Sequence, residues 1–222
     1  MLGNELGVLG PRVIPTVVFD LDNVLLNGNT TALLLGAQLR RHPGDLLRVL
    51  ATSPVLVPAL LIPVLRPLAE LLVCRLTVGR GPAVLAGYRH AVVRRPQAAV
   101  AEALSCLREH VSRGDRVVVA TASEESLARG FLAAVGYADV DVVGSAVRRW
   151  PPRVRRAKGE AKVARLIERG FPPPWTAVYS DSASDLPLFA GTPRPVLVNA
   201  PERVVRTVAR ALGRRPENAG WR

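Results

Sequence analysis

Two cysteines, two lysines and 5% aromatic residues are a short supply for a chain of 222 residues, and each scarcity removes a class of function. Cys74 and Cys106 stand 32 positions apart with no CxxC pair, so neither a disulfide framework nor a zinc site is indicated. The N-terminal residues carry no secretory pattern, and the expected compartment is the cytoplasm. With net charge +12 an anionic partner is favoured. Aromatic residues are nonetheless too few to build the stacking groove of a basic nucleic-acid module, and the arginines form no aromatic-interleaved pattern. Lys158 and Lys162 are the only lysines among thirty basic residues. Acids are also missing locally: between Asn23 and Ala101 only Asp45 and Glu70 occur, against nine arginines. There is no internal repeat and no low-complexity tract.

What is present is a chain that is 49% hydrophobic, enough for one core and a small accessory domain. A strand is expected over 13–19, followed by helices over 98–112, 124–135, 160–169 and 201–212. Strands over 116–120, 140–143, 176–180 and 196–198 alternate with them. Gly114, Gly136 and Gly170 serve as helix stops, and Ser123 is the expected cap of the helix at Glu124. Strands alternating with helices of this length predict an α/β fold, a Rossmann-like parallel sheet with flanking helices. Residues 27–95 break the rhythm. They are apolar, flanked by arginines and interrupted by Pro43, Pro54, Pro58, Pro63, Pro67 and Pro82. The expected organisation is therefore a core of 13–26 and 96–213 with a helical cap inserted at 27–95.

Chemistry-bearing side chains fall at the predicted carboxyl ends of strands, where open α/β sheets hold their ligands. Asp20 and Asp22 follow Val17-Val18-Phe19, and Asp181 and Asp185 follow Val178-Tyr179-Ser180. Thr121 follows Val117-Val118-Val119-Ala120, and Lys162 lies at the start of a predicted helix. Crowded carboxylates of this kind suit Mg²⁺, which needs few protein oxygens and completes its octahedron with water and phosphate. Each residue also has a plainer reading. Thr121 could cap a helix, Lys162 could be a solvated helix lysine with Lys158 in its place, and Asp185 could be the N-cap before Leu186-Pro187.

Taken in order, Asp20-Leu21-Asp22-Asn23-Val24, Thr121, Lys162 and Asp181-Ser182-Ala183-Ser184-Asp185 resemble the four motifs of the haloacid dehalogenase superfamily. The long insertion after the first motif is similar to its phosphoserine-phosphatase-like subfamily. Arg40-Arg41-His42-Pro43, the apolar insertion and Tyr179-Ser180-Asp181-Ser182 most resemble the phosphatidylglycerophosphatase C branch. The resemblance implies a phosphomonoester hydrolase in which Asp20 is the nucleophile and Asp22 the general acid and base. It also implies Thr121 and Lys162 as phosphoryl contacts. Mg²⁺ would be held by Asp20, the Asp22 backbone carbonyl and Asp181, with Asp185 supporting its waters. Asn23 and Ser182 depart from the glycines usual there, which implies altered loop geometry; asparagine tolerates left-handed backbone.

Substrate choice is expected to lie with the insertion. A phosphoserine substrate would need a carboxylate for its ammonium, and Leu25-Leu26-Asn27-Gly28-Asn29-Thr30-Thr31 offers none. The uncharged run 49–65 between Arg48 and Arg66 suits an apolar phosphate ester such as a phospholipid, presented at an anionic membrane surface. Pro54, Pro58 and Pro63 argue against a membrane-spanning helix. Two readings of the insertion stand: a self-contained cap packed on the core, or a peripheral membrane contact at the inner face of the cell membrane.

Overall fold

The structure is a computed structural model that describes residues 15–30, 33, 54, 58, 62, 99–148, 153–155 and 157–221. The expected cap at 27–95 lies almost wholly outside the described residues. The first strand, β1 (Thr16–Phe19), is a β-branched and aromatic run with no charge, fit for burial on both faces. It is followed by α1 (Ala101–Ser112), β2 (Arg116–Glu124), α2 (Glu125–Ala134), β3 (Asp141–Arg148) and β4 (Arg153–Arg155). The chain continues through α3 (Glu160–Glu168), β5 (Ala177–Ser180), a 3₁₀ turn (Ala183–Asp185), α4 (Leu186–Ala190) and β6 (Pro195–Val198). It closes with α5 (Glu202–Leu212) and β7 (Glu217–Ala219).

The strands form one sheet in the order β4-β3-β2-β1-β5-β6-β7. Six are parallel, and β4 alone runs antiparallel, folded back on β3. Strand alternation divides the core in two. Val17 and Phe19 point to the side where Ala103 and Leu107 of α1 and Leu127 and Phe131 of α2 pack. Val18 points to the other side, against Leu166 of α3, Leu188 of α4 and Val205 and Val208 of α5. Because β1 pairs with β2 on one side and β5 on the other, the chain reverses its direction of travel across the sheet at β1. That switch point is where a parallel sheet opens a crevice at its carboxyl edge. No helix among the described residues is long and apolar enough to cross a membrane.

The predicted α/β alternation holds, with three corrections. β2 runs four residues beyond Ala120, carrying Thr121 and Ser123 into the sheet with a register shift against β3. Ser123 does not cap α2: Glu124 is the N-cap, and its carboxylate accepts from the Leu127 amide. The edge strands β4 and β7, three residues each, were not expected, since runs this short carry no period to read.

Gly144 sets the spacing where β3 passes the β2–α2 junction. A Cβ there would lie 2.8 Å from the Glu125 Cα and 3.0 Å from the Ser123 carbonyl oxygen. The same junction is tied by the Ser145 hydroxyl, which donates to the Ala122 carbonyl at 2.6 Å.

Candidate active site

The end of β1 brings Asp20 to the crevice, and its amide donates to the Tyr179 carbonyl of β5 at 2.8 Å. The Asp20 Oδ1 accepts from the Leu21 amide at 2.8 Å, which aims Oδ2 at the Lys162 Nζ, 3.2 Å away. Lys162 sits in the first turn of α3 and is 1% exposed. Its ammonium also donates to Asp185 Oδ2 at 2.8 Å. Lys158 is exposed, so of the two lysines only Lys162 reaches the acids.

Two carboxylates and one ammonium in a buried space cannot all carry their ordinary affinities. Burial pushes the Asp20 carboxyl well above the usual carboxylate range, against the pull of Lys162. Burial works in the same direction on Asp185, but Lys162 and the Ser180 hydroxyl at 2.7 Å outweigh it and hold this carboxyl below its ordinary value. Lys162 is disfavoured as a cation by its burial, yet the two carboxylates raise its pKa. Asp185 does stand at the N-cap position of α4, but no side-chain cap bond forms; its carboxylate faces the site instead.

Asp22 is held differently. Its Oδ1 accepts from the Thr30 amide at 2.6 Å and from the Thr30 hydroxyl, and its Oδ2 accepts from the Ser123 hydroxyl at 2.6 Å. Thr30 is fully buried and Ser123 nearly so. Neither was predicted as a site residue. Ser123 carries the local sequence pattern of a helix cap, and Thr30, the first of two adjacent threonines eight positions after Asp22, belongs to no motif. Thr121 is also buried, and its Oγ1 accepts from the Ser123 amide at 3.0 Å.

Asn23 adopts φ 58°, as its tolerance of left-handed backbone predicts, and its side-chain amide donates to Asp181 Oδ2 at 3.0 Å. Burial raises the Asp181 carboxyl, with Asn23 partly countering it. Asp20, Lys162 and Asp185 are thus brought into direct contact. Asp22 and Asp181 are each engaged by separate polar partners.

The donor set suits a hard cation in kind, since the described side chains gathered here offer carboxylate, hydroxyl and amide oxygens and no thiolate or imidazole. One of them, Asp185 Oδ1, is buried with no hydrogen-bond partner among the described residues, a lone pair that a cation or its water would satisfy. The carboxylates do not form a ready cage: among the described residues no three acidic, histidine or cysteine side chains converge on one point. Cys106 is a free thiol outside this site, and Cys74 lies outside the described residues.

The family described as haloacid dehalogenase-like hydrolase matches residues 17–190. No curated protein sequence matches the chain. Among solved structures, a protein of unknown function from Bordetella pertussis Tohama I is similar at TM-score 0.72 and 21% identity. That match covers 93% of this chain and 99% of the other. A substrate-bound phosphoserine phosphatase complex matches at TM-score 0.57 and 14% identity, over 93% and 92% of the two chains. A phospho-aspartyl intermediate analogue of phosphoserine phosphatase matches at TM-score 0.51 and 14% identity, over 86% and 89%. At these identities the likeness is one of fold.

Proposed function

The chain belongs to the haloacid dehalogenase-like hydrolases, and from that premise we propose that it is a phosphomonoester hydrolase working through an aspartyl-phosphate. The observation that carries this reading is the Lys162 ammonium, buried between Asp20 and Asp185 at the carboxyl edge of β1. A nucleophilic carboxylate beside a fixed buried cation is an arrangement for attacking a phosphoryl group and neutralising its charge.

In the proposed reaction the Asp20 Oδ2 attacks phosphorus, forming the acyl phosphate as the ester oxygen departs. Asp22 gives that oxygen its proton. A water then attacks the acyl phosphate, losing its proton to Asp22, and inorganic phosphate leaves with Asp20 regenerated. Lys162 neutralises charge on the nucleophile and the phosphoryl oxygens, and the Thr121 hydroxyl donates to one of those oxygens. Phosphoryl transfer asks chiefly for this positioning and charge stabilisation. Mg²⁺ would be held by Asp20, Asp181 and the Asp22 carbonyl, with Asp185 beside its waters. It would supply further positive charge at the phosphoryl oxygens. The intermediate is supported by the fold shared with the phospho-aspartyl analogue of phosphoserine phosphatase.

The substrate we propose is a lipid phosphate at the cytoplasmic face of a membrane, phosphatidylglycerophosphate being the example that the resemblance to phosphatidylglycerophosphatase C suggests. What supports it is sequence: nine arginines against two acids between Asn23 and Ala101, flanking a proline-broken apolar run. Each arginine near an anionic surface contributes about 1 kcal/mol, so three or four, with a few leucines, suffice for reversible docking. The test is phosphate release with and without Mg²⁺ from phosphatidylglycerophosphate in micelles, beside soluble phosphomonoesters. Co-sedimentation with anionic and neutral liposomes across a salt series runs in parallel. Turnover preferring the lipid, with binding to anionic vesicles that salt weakens, is expected. Preference for a small soluble ester together with no vesicle binding at low salt would leave a soluble, phosphoserine-phosphatase-like enzyme. No Mg²⁺-dependent release from any ester would overturn the phosphatase reading.

A further inference from the structure

We propose that Ser123 is a positioning residue that presents Asp22 Oδ2 as the oxygen that moves the proton. The inference rests on the reading of Asp22 as proton donor and acceptor, and extends it to a second element of the fold. Each oxygen of a carboxylate offers two lone pairs. Both of those on Asp22 Oδ1 are taken by Thr30, through its amide and its hydroxyl. Oδ2 accepts one bond, from the Ser123 hydroxyl at 2.6 Å, and among the described residues it has no second donor. Among the described residues one lone pair of four is thus left for exchange with the ester oxygen or the attacking water, and Ser123 fixes the direction in which it points.

Ser123 is itself fixed. Its amide donates to the Thr121 Oγ1 at 3.0 Å, which joins it to the proposed phosphoryl contact. The extension of β2 past Ala120 puts Thr121 and Ser123 two residues apart along the same strand, so their side chains face the same way. The close passage of Gly144 and the bond from Ser145 to Ala122 hold the segment from behind. The hydroxyl does not cap α2, since Glu124 occupies the N-cap. A buried hydroxyl without a capping duty, spent on a carboxylate 101 residues away in sequence, is explained by orientation of that carboxylate.

Departure of the ester oxygen distinguishes this role from a structural one. An alkoxide must take a proton as the P–O bond breaks, whereas p-nitrophenolate leaves without one. In the full-length protein with Mg²⁺, kcat/KM reports every step through formation of the acyl phosphate. For Ser123→Ala, kcat/KM on glycerol phosphate should fall about 10- to 10²-fold, part of the 10²- to 10⁴-fold that an acid–base group supplies. On p-nitrophenyl phosphate the fall should be less than about 3-fold. Ser123→Thr, which keeps the hydroxyl, should restore the alkyl ester rate. If Ser123→Ala does not fold, Ser123→Cys, which exchanges the hydroxyl for a weak S–H donor in nearly the same space, should show the same substrate split and decides the matter. Equal losses on both esters, no loss on either, or failure of a folded Ser123→Thr to restore the rate would overturn the proposal. Asp20→Asn must silence both esters. If instead the wild type cleaves no ester, phosphatidylglycerophosphate included, the phosphatase reading falls and takes this inference with it.

Discussion

Replacing Lys162 by methionine keeps an apolar stem of the same length, with sulfur in place of one methylene, and removes the ammonium, leaving Asp20 and Asp185 facing each other in a space from which water is nearly excluded. The pairs are 3.2 Å and 2.8 Å long. At an effective dielectric of about 20 each is worth on the order of 5–6 kcal/mol. Much of this offsets the several kcal/mol needed to bring the ions out of water. The loss on removing one partner is therefore not the sum of the pairs. It is the cost of the buried negative charge left uncompensated, about 3–5 kcal/mol. Urea denaturation at pH 7 should show that loss as a lower midpoint with unchanged slope, and phosphatase turnover should vanish. The double variant Lys162→Met with Asp185→Asn removes the stranded charge as well. It should be more stable than the sum of the single effects by about 2 kcal/mol, because contacting charges do not behave additively. The pH dependence has a definite sign. The folded-state pKa of Lys162 lies above its ordinary 10.5, so its contribution is complete below that pH and is lost as pH climbs through the folded value. The gap between wild type and Lys162→Met should accordingly narrow above about pH 10.5. A single variant within about 1 kcal/mol of wild type, or strict additivity in the double, would refute the buried triad as the source of this stability.

Asp20→Asn should abolish turnover yet leave the urea midpoint unchanged or raised, because burial opposes the ionised Asp20 and an amide removes that opposition; a lowered midpoint would contradict the account. Asp22→Asn should cost 10²- to 10⁴-fold in activity, measured on an alkyl phosphate, while a variant within a few-fold of wild type would assign the proton to another group. Gly144→Ala drives a methyl to within 2.8 Å of the Glu125 backbone, and should destabilise by about 1–3 kcal/mol with a drop in turnover through the displaced Ser123. An unchanged melting temperature would show that the junction yields. Asn23→Gly keeps the left-handed backbone and frees Asp181 from its amide, so stability should hold within about 1 kcal/mol by denaturation while the affinity for Mg²⁺, followed calorimetrically, changes.

The parallel α/β fold and the four acids, the threonine and the lysine at its carboxyl edge were legible in the sequence. Buried parallel strands write themselves as uncharged β-branched runs, and helix stops as glycines. Val17-Val18-Phe19 before Asp20 is of this kind, and Val178-Tyr179-Ser180 before Asp181 is an uncharged run that opens with a β-branched and an aromatic residue. Lys162 stood out because the chain uses arginine almost everywhere else. What the sequence could not decide was which partners each side chain takes. Ser123 has the local pattern of a helix cap, and only the extension of β2 and the approach of Gly144 turn it toward Asp22, 101 positions away. Asp185 likewise occupies a capping position while its carboxylate is claimed by Lys162, 23 residues earlier, and by Ser180. Propensity and period report a residue's neighbours along the chain. Hydrogen bonds between a loop after one strand and the end of another depend on register and close packing, and those exist only once the sheet is assembled.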